Sequence, residues 1–416
     1  MALPFWLANL ATVGVLGLLF SYTKERAWGW VRRRNGYELP FCLLLIAAWW
    51  SVCDAYLPAQ AAADAASLTL LVGMFYFLAA GVRSKKDFSF LWLTACGGYV
   101  LVLLCGFLQY GMANWNWPPI PGLSFLLETK GLNRICSVFI ARAGTGVFSA
   151  FMSLAAPVHI GWFCRELGAK KIKNWLVIIA HLLILGLSIF NIIFSFSRSL
   201  LVAYLLVFLF VLLKAKHWKQ LLAVGLILGV LAMLCLPPLQ KTLSMLFDRN
   251  DYSNRDHIDS IVLTFRNIAR HPLNGWGGGH INTRLKKIAG RWTNLRGQYK
   301  TPEEIRRANE NLFIIDQEAQ ADGVLYVFSP HNMYLGYFLE YGFLGFLGVL
   351  LLLIYTYRRL RVLPGSIAYG LLLGLISFAA YGLLHDSIRA PIMAYLFWFY
   401  LLLVVKFEEF YGTNQD

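Results

Sequence analysis

The chain has 416 residues, of which 58% are hydrophobic and only 14% are charged. A water-soluble domain ordinarily has about 25% charged residues, so this composition excludes the usual soluble classes. The formal net charge is +15, which in a soluble protein would suggest a nucleic-acid partner. The positions of the cations, described below, argue against that class.

The hydrophobic residues are concentrated in long runs whose length suits a membrane-crossing helix, which needs about 20 residues. The alternating pattern of a transmembrane β-barrel is missing from the sequence. We therefore predict an all-α polytopic membrane protein with about eleven or twelve transmembrane helices. The predicted spans, in chain order, are 4–22, 39–58, 66–82, 88–110, 144–164, 174–195, 199–213, 220–236, 332–356, 366–384 and 391–405.

Lysine and arginine are clustered in every second short connection between these spans. By the positive-inside rule these connections are cytoplasmic, and their charge faces anionic lipid instead of nucleic acid. The clustered residues are Lys24, Arg26, Arg32, Arg33, Arg34, Arg83, Lys85, Lys86, Arg165, Lys170, Lys171, Lys173, Lys214, Lys216, Lys219, Arg358, Arg359, Arg361 and Lys406.

We predict three parts along the chain. Residues 1–236 form an N-terminal bundle of about eight helices, 237–331 form a large extracytoplasmic loop, and 332–416 form about three helices and a cytoplasmic tail. A capping box from Thr301 to Glu304 predicts a helix inside the loop. The stretch "DHIDSIVLTFRNIAR" predicts another, ending at "HPLNGWGGG", because its apolar residues have helical spacing. These apolar residues are Ile258, Ile261, Val262, Phe265 and Ile268.

Several arginines lie on the extracytoplasmic side, where the topology rule does not explain them. Arg198, in "FSFSRSLLVAY", is either an interfacial arginine with its charge in water or a ligand for an anionic headgroup. Arg255, Arg266 and Arg270 in the large loop are either a solvated surface or anion ligands. The glycines of "NGWGGG" allow tight turns whose N–H groups could also face an anion.

His331 and Glu340 occur in "SPHNMYLGYFLEYGFLG", at the start of a predicted span and inside it. His331 is either a helix-capping or interfacial histidine, or a general base, since imidazole ordinarily titrates near neutral pH. Burying the Glu340 carboxylate is costly, so we interpret it as a partner for an internal charge. Asp386 and Arg389 pair with each other or reach the same cavity.

Motifs that hold metals or activate serine nucleophiles are not found: the sequence has no HExxH, no GxSxG and no DxD-type pair. The glycine-rich turn also lacks the Lys-Ser/Thr pair of a phosphate-binding P-loop. We therefore predict chemistry that needs neither a metal nor a cofactor.

The ordered set of motifs resembles the O-antigen ligase and polymerase superfamily of Gram-negative inner membranes. The matching stretches are "SRSLLVAY", "SNRDHIDSIVLTFRNIARHPLNGWGGG", "HNMYLGYFLEYGFLGFLG" and "TGVFSAFMSLAAP". The resemblance implies a GT-C-like, metal-independent glycosyltransferase whose active site faces the periplasm. Its donor is a glycan on undecaprenyl diphosphate, and in the ligases its acceptor is a sugar hydroxyl of lipid A–core.

The resemblance also implies roles for individual residues. Arg198 and Arg255 hold the diphosphate and stabilise the leaving group. His331 activates the acceptor hydroxyl or orients the site, and the configuration at the sugar carbon is inverted. Arg266 is the alternative to Arg255 as the key arginine of the loop. Further substrate-binding candidates are Arg142, Asn332, Asp386 and Arg389.

Two alternatives to a ligase are compatible with the sequence. A polymerase of the same superfamily uses another lipid-linked repeat as acceptor, and the single large loop before "HN" favours the ligase modestly. A transporter or flippase of lipid-linked sugars would contain broken helices in two related halves, and no internal repeat is evident in the sequence.

Overall fold

A computed structural model describes most of the predicted helices and part of the large loop. The described residues are 36–115, 117–118, 135, 137, 144–168, 174–214, 240, 244, 252–279, 283–288, 291–294, 324–327, 330–386 and 391–412. Within them the helices are α1 (Glu38–Cys53), α2 (Pro58–Gly81), α3 (Lys85–Asn114), α4 (Gly144–Gly168), α5 (Trp175–Phe194), α6 (Arg198–Lys214), α7 (Tyr252–Arg270), α8 (Met333–Val362), α9 (Ser366–Gly382) and α10 (Pro391–Tyr411). The strands are β1 (Thr283–Ile288), β2 (Arg291–Asn294) and β3 (Val324–Val327).

The helices confirm the all-α polytopic membrane class. Among the described residues, five helices are long and apolar enough to cross a bilayer, namely α2, α3, α5, α8 and residues Gly146–Glu166 of α4. Three shorter apolar helices, α1, α6 and α9, accompany them. The predicted spans 4–22 and 220–236 lie outside the described residues, so the total number of spans stays a prediction.

The chain divides into two compact units, which we describe separately. One contains the described residues from Met74 to Asn254 and from Leu353 onward, and the other contains Gly36–Gly73 and Arg255–Leu352. We call them the bundle unit and the loop unit. The predicted division into three parts in chain order stays a prediction.

In the bundle unit, α4 and α9 pack with their backbones in close contact. A Cβ atom on Gly370 would lie 2.3 Å from the Val158 carbonyl oxygen, and one on Gly374 would lie 2.6 Å from that of Leu154. Small residues four positions apart allow such an approach between membrane helices, where dispersion contacts replace the hydrophobic effect as the driving force. These two glycines therefore set the separation of α4 and α9.

Polar side chains join α3 to α5 within the same unit. The hydroxyls of Tyr99 and Ser188 are 2.6 Å apart, and the Asn191 amide donates to the Leu103 carbonyl at 3.1 Å. Hydrogen bonds of this kind between membrane helices stabilise by roughly 1 kcal/mol each. They fix the position of α5 just before the turn that leads to Arg198.

The loop unit contains a three-stranded antiparallel sheet with the order β2-β1-β3. Leu285 of β1 pairs with Asn294 of β2 on one side and with Leu325 of β3 on the other. The sequence pattern predicts helices in this segment and does not predict the sheet. The capping box from Thr301 to Glu304 lies outside the described residues.

Helix α7 confirms the helix predicted before "HPLNGWGGG", but its apolar stripe does not coincide with its buried face. Phe265 is 56% exposed and Val262 is 39% exposed, whereas Thr264 is fully buried and Asn267 is 7% exposed. The Trp276 indole packs near this face and donates to the backbone carbonyl of Asn267. The apolar stripe thus identified the helix and not its orientation.

Candidate functional site

His331 lies directly before α8, in a backbone conformation that few residues adopt. Its φ is 45°, in the left-handed region, which costs a residue other than glycine about 1–2 kcal/mol. Buried Pro330 precedes it, and the Asn332 side chain accepts a hydrogen bond from the Leu335 N–H at 3.0 Å. Asn332, predicted to bind substrate, therefore serves as the N-cap of α8.

A second histidine, His257 of α7, lies against His331. The two ring centroids are 4.3 Å apart and the ring planes are inclined by 59°. Arg255 precedes His257 by two positions in the first turn of α7, and its side chain is outside the described part of the chain. The structure thus brings the predicted base next to the helix that carries one of the predicted diphosphate ligands.

Residues 271–279, which we call the glycine loop, form hydrogen bonds with α8 at a break in that helix. The helix is interrupted at Gly342, where φ is 67° and ψ is −164°. The N–H groups of Trp276 and Gly277 donate to the Leu339 and Glu340 carbonyls at 2.9 and 3.0 Å. These two N–H groups are therefore occupied by protein carbonyls and are not directed at an anion.

Hydrogen bonds are donated in both directions between the glycine loop and α8. The N–H of Phe343, which an unbroken α8 would pair with the Leu339 carbonyl, donates to the Pro272 carbonyl at 2.9 Å. Backbone polar groups in a membrane helix need an internal partner, and the loop supplies both donors and an acceptor. The break in α8 and the glycine loop therefore form a single junction.

Trp276 is the centre of this junction. It is 1% exposed, its indole donates to the Asn267 carbonyl at 2.9 Å, and its ring stacks on Tyr56 with centroids 5.0 Å apart. Three further hydrogen bonds hold the junction to α2 and to the turn before it. They join Asn274 to Asp54, Gln60 to the Gly279 carbonyl, and Tyr341 to Asp64.

Glu340, predicted as a structural charge, is fully buried at the junction. Its backbone carbonyl accepts the Gly277 N–H, so its main chain is part of the seal around the helix break. A buried carboxylate needs a charged or hydrogen-bonding partner, or it becomes neutral. The role of its side chain as a partner for an internal cation stays a prediction.

Arg198 lies in the bundle unit as the first residue of α6, and its side chain is half-buried. The Ser197 hydroxyl accepts a hydrogen bond from the Leu200 N–H at 3.4 Å, so Ser197 is the N-cap of α6. Phe196, one residue earlier, has a φ of 51° and turns the chain sharply between α5 and α6. This turn places Arg198 at a helix N-terminus, where the helix dipole favours bound anions.

The start of α4 and the end of α9 meet near this turn. The Tyr381 hydroxyl donates to the Gly146 carbonyl at 3.2 Å and interacts with the Ser197 side chain. The His385 ring stacks on Tyr381 with centroids 5.2 Å apart, and a Cβ atom on Gly146 would lie 2.7 Å from that ring. Ser197, Gly146 and His385 thus share one neighbourhood around Tyr381.

Asp386 follows His385 in the connection after α9. One of its carboxylate oxygens, Oδ1, is buried, and burial raises the pKa of Asp386 well above its ordinary value. A raised pKa makes this carboxyl easier to protonate, which weakens its repulsion of a phosphate nearby. Of the other predicted ligands, Arg142 and Arg389 lie outside the described residues, and Arg266 is exposed on α7.

The raised pKa of Asp386 predicts how stability depends on pH. Because the folded state binds this proton more tightly than the unfolded state, the contribution of Asp386 to folding falls as pH rises above about 4. Asp386→Asn, which cannot ionise, is expected to remove that loss. The melting temperature of the purified variant, relative to wild type, should increase as pH rises above about 4 and level off above the folded-state pKa of Asp386. A difference that does not change with pH would contradict the assignment.

Two histidines at these sites, His257 and His385, were not among the predicted residues. His385 could have been suspected, since it directly precedes Asp386. His257 had no local signal, because its contact with His331 joins positions that are distant in the sequence.

Comparison with known proteins adds one finding. Residues 183–350 match the family model described as O-Antigen ligase. The match includes Arg198, Arg255, His331 and Glu340, and it supports the resemblance to the O-antigen ligase and polymerase superfamily. No curated protein and no solved structure matches the chain significantly.

Proposed function

We propose that this chain, whose residues 183–350 carry the O-antigen ligase family domain, is an O-antigen ligase of a bacterial inner membrane. It transfers a glycan from undecaprenyl diphosphate to a sugar hydroxyl of lipid A–core on the periplasmic face. The observation that carries the proposal is the His331 site. A histidine is held at the start of a membrane helix, against the helix that bears Arg255.

The reaction needs a base at the acceptor and positive charge at the donor. One nitrogen of His331 accepts the proton of the acceptor hydroxyl while the oxygen attacks the anomeric carbon. The bond from that carbon to the phosphate oxygen breaks, and undecaprenyl diphosphate leaves with the electron pair. Attack from the face opposite the leaving group inverts the configuration of the sugar.

Arg198 and Arg255 stabilise the negative charge that develops on the departing diphosphate. A guanidinium presents a planar set of donors to phosphate oxygens and stays charged at any relevant pH. Arg198 also stands at the N-terminus of α6, where the helix dipole adds to its positive charge. The raised pKa of Asp386 weakens its repulsion of an anion in this region.

The charge pattern supports a periplasmic orientation of the His331 site. Helix α8 begins at Met333, and its other end carries Arg358, Arg359 and Arg361. The positive-inside rule assigns that basic end to the cytoplasm. His331 is then at the periplasmic face, where both the lipid-linked donor and the finished lipid A–core are accessible.

Deleting the gene distinguishes a ligase from a polymerase. For a ligase we expect lipopolysaccharide with bare core and an accumulation of long chains on the lipid carrier. For a polymerase, the core would instead carry a single repeat. Gel electrophoresis of lipopolysaccharide, with the intact gene restored as control, decides between them, and the single-repeat pattern would overturn the proposal.

The transporter alternative would use the break in α8 differently. In transporters, broken helices leave backbone groups free to coordinate a substrate or ion. Here the Leu339 and Glu340 carbonyls at the break accept hydrogen bonds from the glycine loop. This occupation favours a structural role for the break, and it supports a fixed catalytic site over a gated path.

A further inference from the structure

We propose that His257 is a positioning residue that holds the His331 imidazole in the orientation needed for proton transfer. The inference rests on the proposed function, in which His331 is the base that receives the acceptor proton. Helix α7 then has a second role besides carrying Arg255, which is to fix the ring of His331.

The geometry of the pair indicates a contact between ring surfaces. A linear N–H···N hydrogen bond between two imidazoles would separate their centroids by about 5 Å, given the usual donor–acceptor distance. The observed separation is 4.3 Å with planes inclined by 59°. Tilted aromatic rings at such distances attract each other by roughly 0.5–1.5 kcal/mol beyond their burial.

The backbone around His331 fixes its Cβ atom but not its ring. Pro330, the left-handed φ of His331 and the Asn332 cap determine where the side chain begins. The second torsion of a histidine side chain is broad, so the ring can still rotate. His257 occupies the space beside that ring and restricts the rotation.

His257 is itself fixed relative to α8. The Ser260 hydroxyl donates to the His257 carbonyl at 3.0 Å within α7. Further along, Trp276 bonds both helices, since its indole donates to Asn267 of α7 and its backbone N–H donates to Leu339 of α8. Trp276 therefore forms hydrogen bonds with the helix that carries His257 and with the helix that directly follows His331.

Orientation matters because proton transfer needs a base within about 2.6–3.2 Å of the hydroxyl. A misplacement of about 1 Å can slow catalysis up to a hundredfold. For His257→Ala in the purified full-length protein we expect kcat to fall about tenfold to a hundredfold, with KM values for donor and acceptor unchanged. His257→Phe, which keeps a ring, should recover most of the rate. A Phe variant as slow as the Ala variant overturns the proposal.

A double-mutant comparison shows whether His257 acts through His331. In the His331→Ala background, His257→Ala should cause no further loss, because the ring it positions is gone. Independent losses in the two variants would overturn the proposal. If His257→Ala does not fold, the Phe variant decides, and a retained kcat supports the ring contact.

The same set of variants separates this inference from the proposed function. If His331→Ala is inactive and His257→Ala has the wild-type kcat, only the positioning role fails. If His331→Ala transfers glycan at the wild-type rate, the base assignment fails and the positioning role fails with it.

Discussion

His331→Asn is expected to lower the rate of glycan transfer by roughly two to four orders of magnitude, the usual contribution of a general base. The loss follows from chemistry and not from misfolding. Asparagine adopts the left-handed φ of 45° more readily than most residues, and it cannot accept a proton near neutral pH. The measurement is transfer by purified protein from a lipid-diphosphate-linked glycan to lipid A–core.

The control for this experiment is Arg361→Ala at the opposite end of α8. Arg361 is exposed and lies in the basic last turn of the helix, so its loss should leave transfer unchanged. Wild-type activity in His331→Asn would show that His331 only caps or anchors the helix. Equal losses in both variants would show that the assay reports membrane insertion instead of catalysis.

The sequence predicted helices well where hydrophobicity alone determines them. The predicted span 88–110 lies inside α3, which extends from Lys85 to Asn114. The sequence-based prediction was less accurate around residues 39–58. The apolar run is continuous there, but α1 ends at Cys53 and α2 begins at Pro58. Proline favours the first position of a helix, a local signal that separates two helices within a continuous apolar run.

The break in α8 could not be predicted from its hydrophobic pattern. The run 332–356 is apolar on both sides of Gly342, and glycine is common within membrane helices. The glycine loop stabilises the break. Its N–H donors lie more than 60 positions earlier in the chain than the α8 carbonyls that accept their hydrogen bonds. The sheet could not be predicted from local sequence either, because β1 pairs with β3 across a long sequence separation.

The candidate site also has parts that the sequence predicts and parts that it does not predict. His331 and Asn332 form a local pattern at the start of a span, and both lie where the pattern predicts. The partner of the His331 ring depends on how α7 packs, and the apolar stripe of that helix does not define its buried face, since Val262 and Phe265 are exposed. Trp276 contributes to this packing, because its indole N–H donates to the backbone carbonyl of Asn267 in α7, a contact that the side-chain pattern does not indicate.

Gly275→Ala is expected to destabilise the junction between the glycine loop and α8 severely. Gly275 has a φ of 68°, and a Cβ atom there would lie 2.4 Å from the backbone carbon and oxygen of Glu340. The positive φ costs about 1–3 kcal/mol, and overlap with a packed backbone costs about another 1–3 kcal/mol. A shift of the Glu340 backbone to make room would disturb the hydrogen bond between its carbonyl and the Gly277 N–H. The melting temperature of the purified protein should fall sharply, and transfer activity should be lost with it.

Gly73→Ala is the matched control, since it makes the same change within α2. A Cβ atom on Gly73 has no heavy atom within 4 Å, so alanine should be neutral or should stabilise the helix by about 0.5–1 kcal/mol. Similar melting temperatures for the two variants would mean that the loop is not seated on the helix break. Loss of stability in Gly275→Ala alone would establish that the glycine loop holds the His331 end of α8 in place, because it supplies the hydrogen bonds that the broken helix lacks.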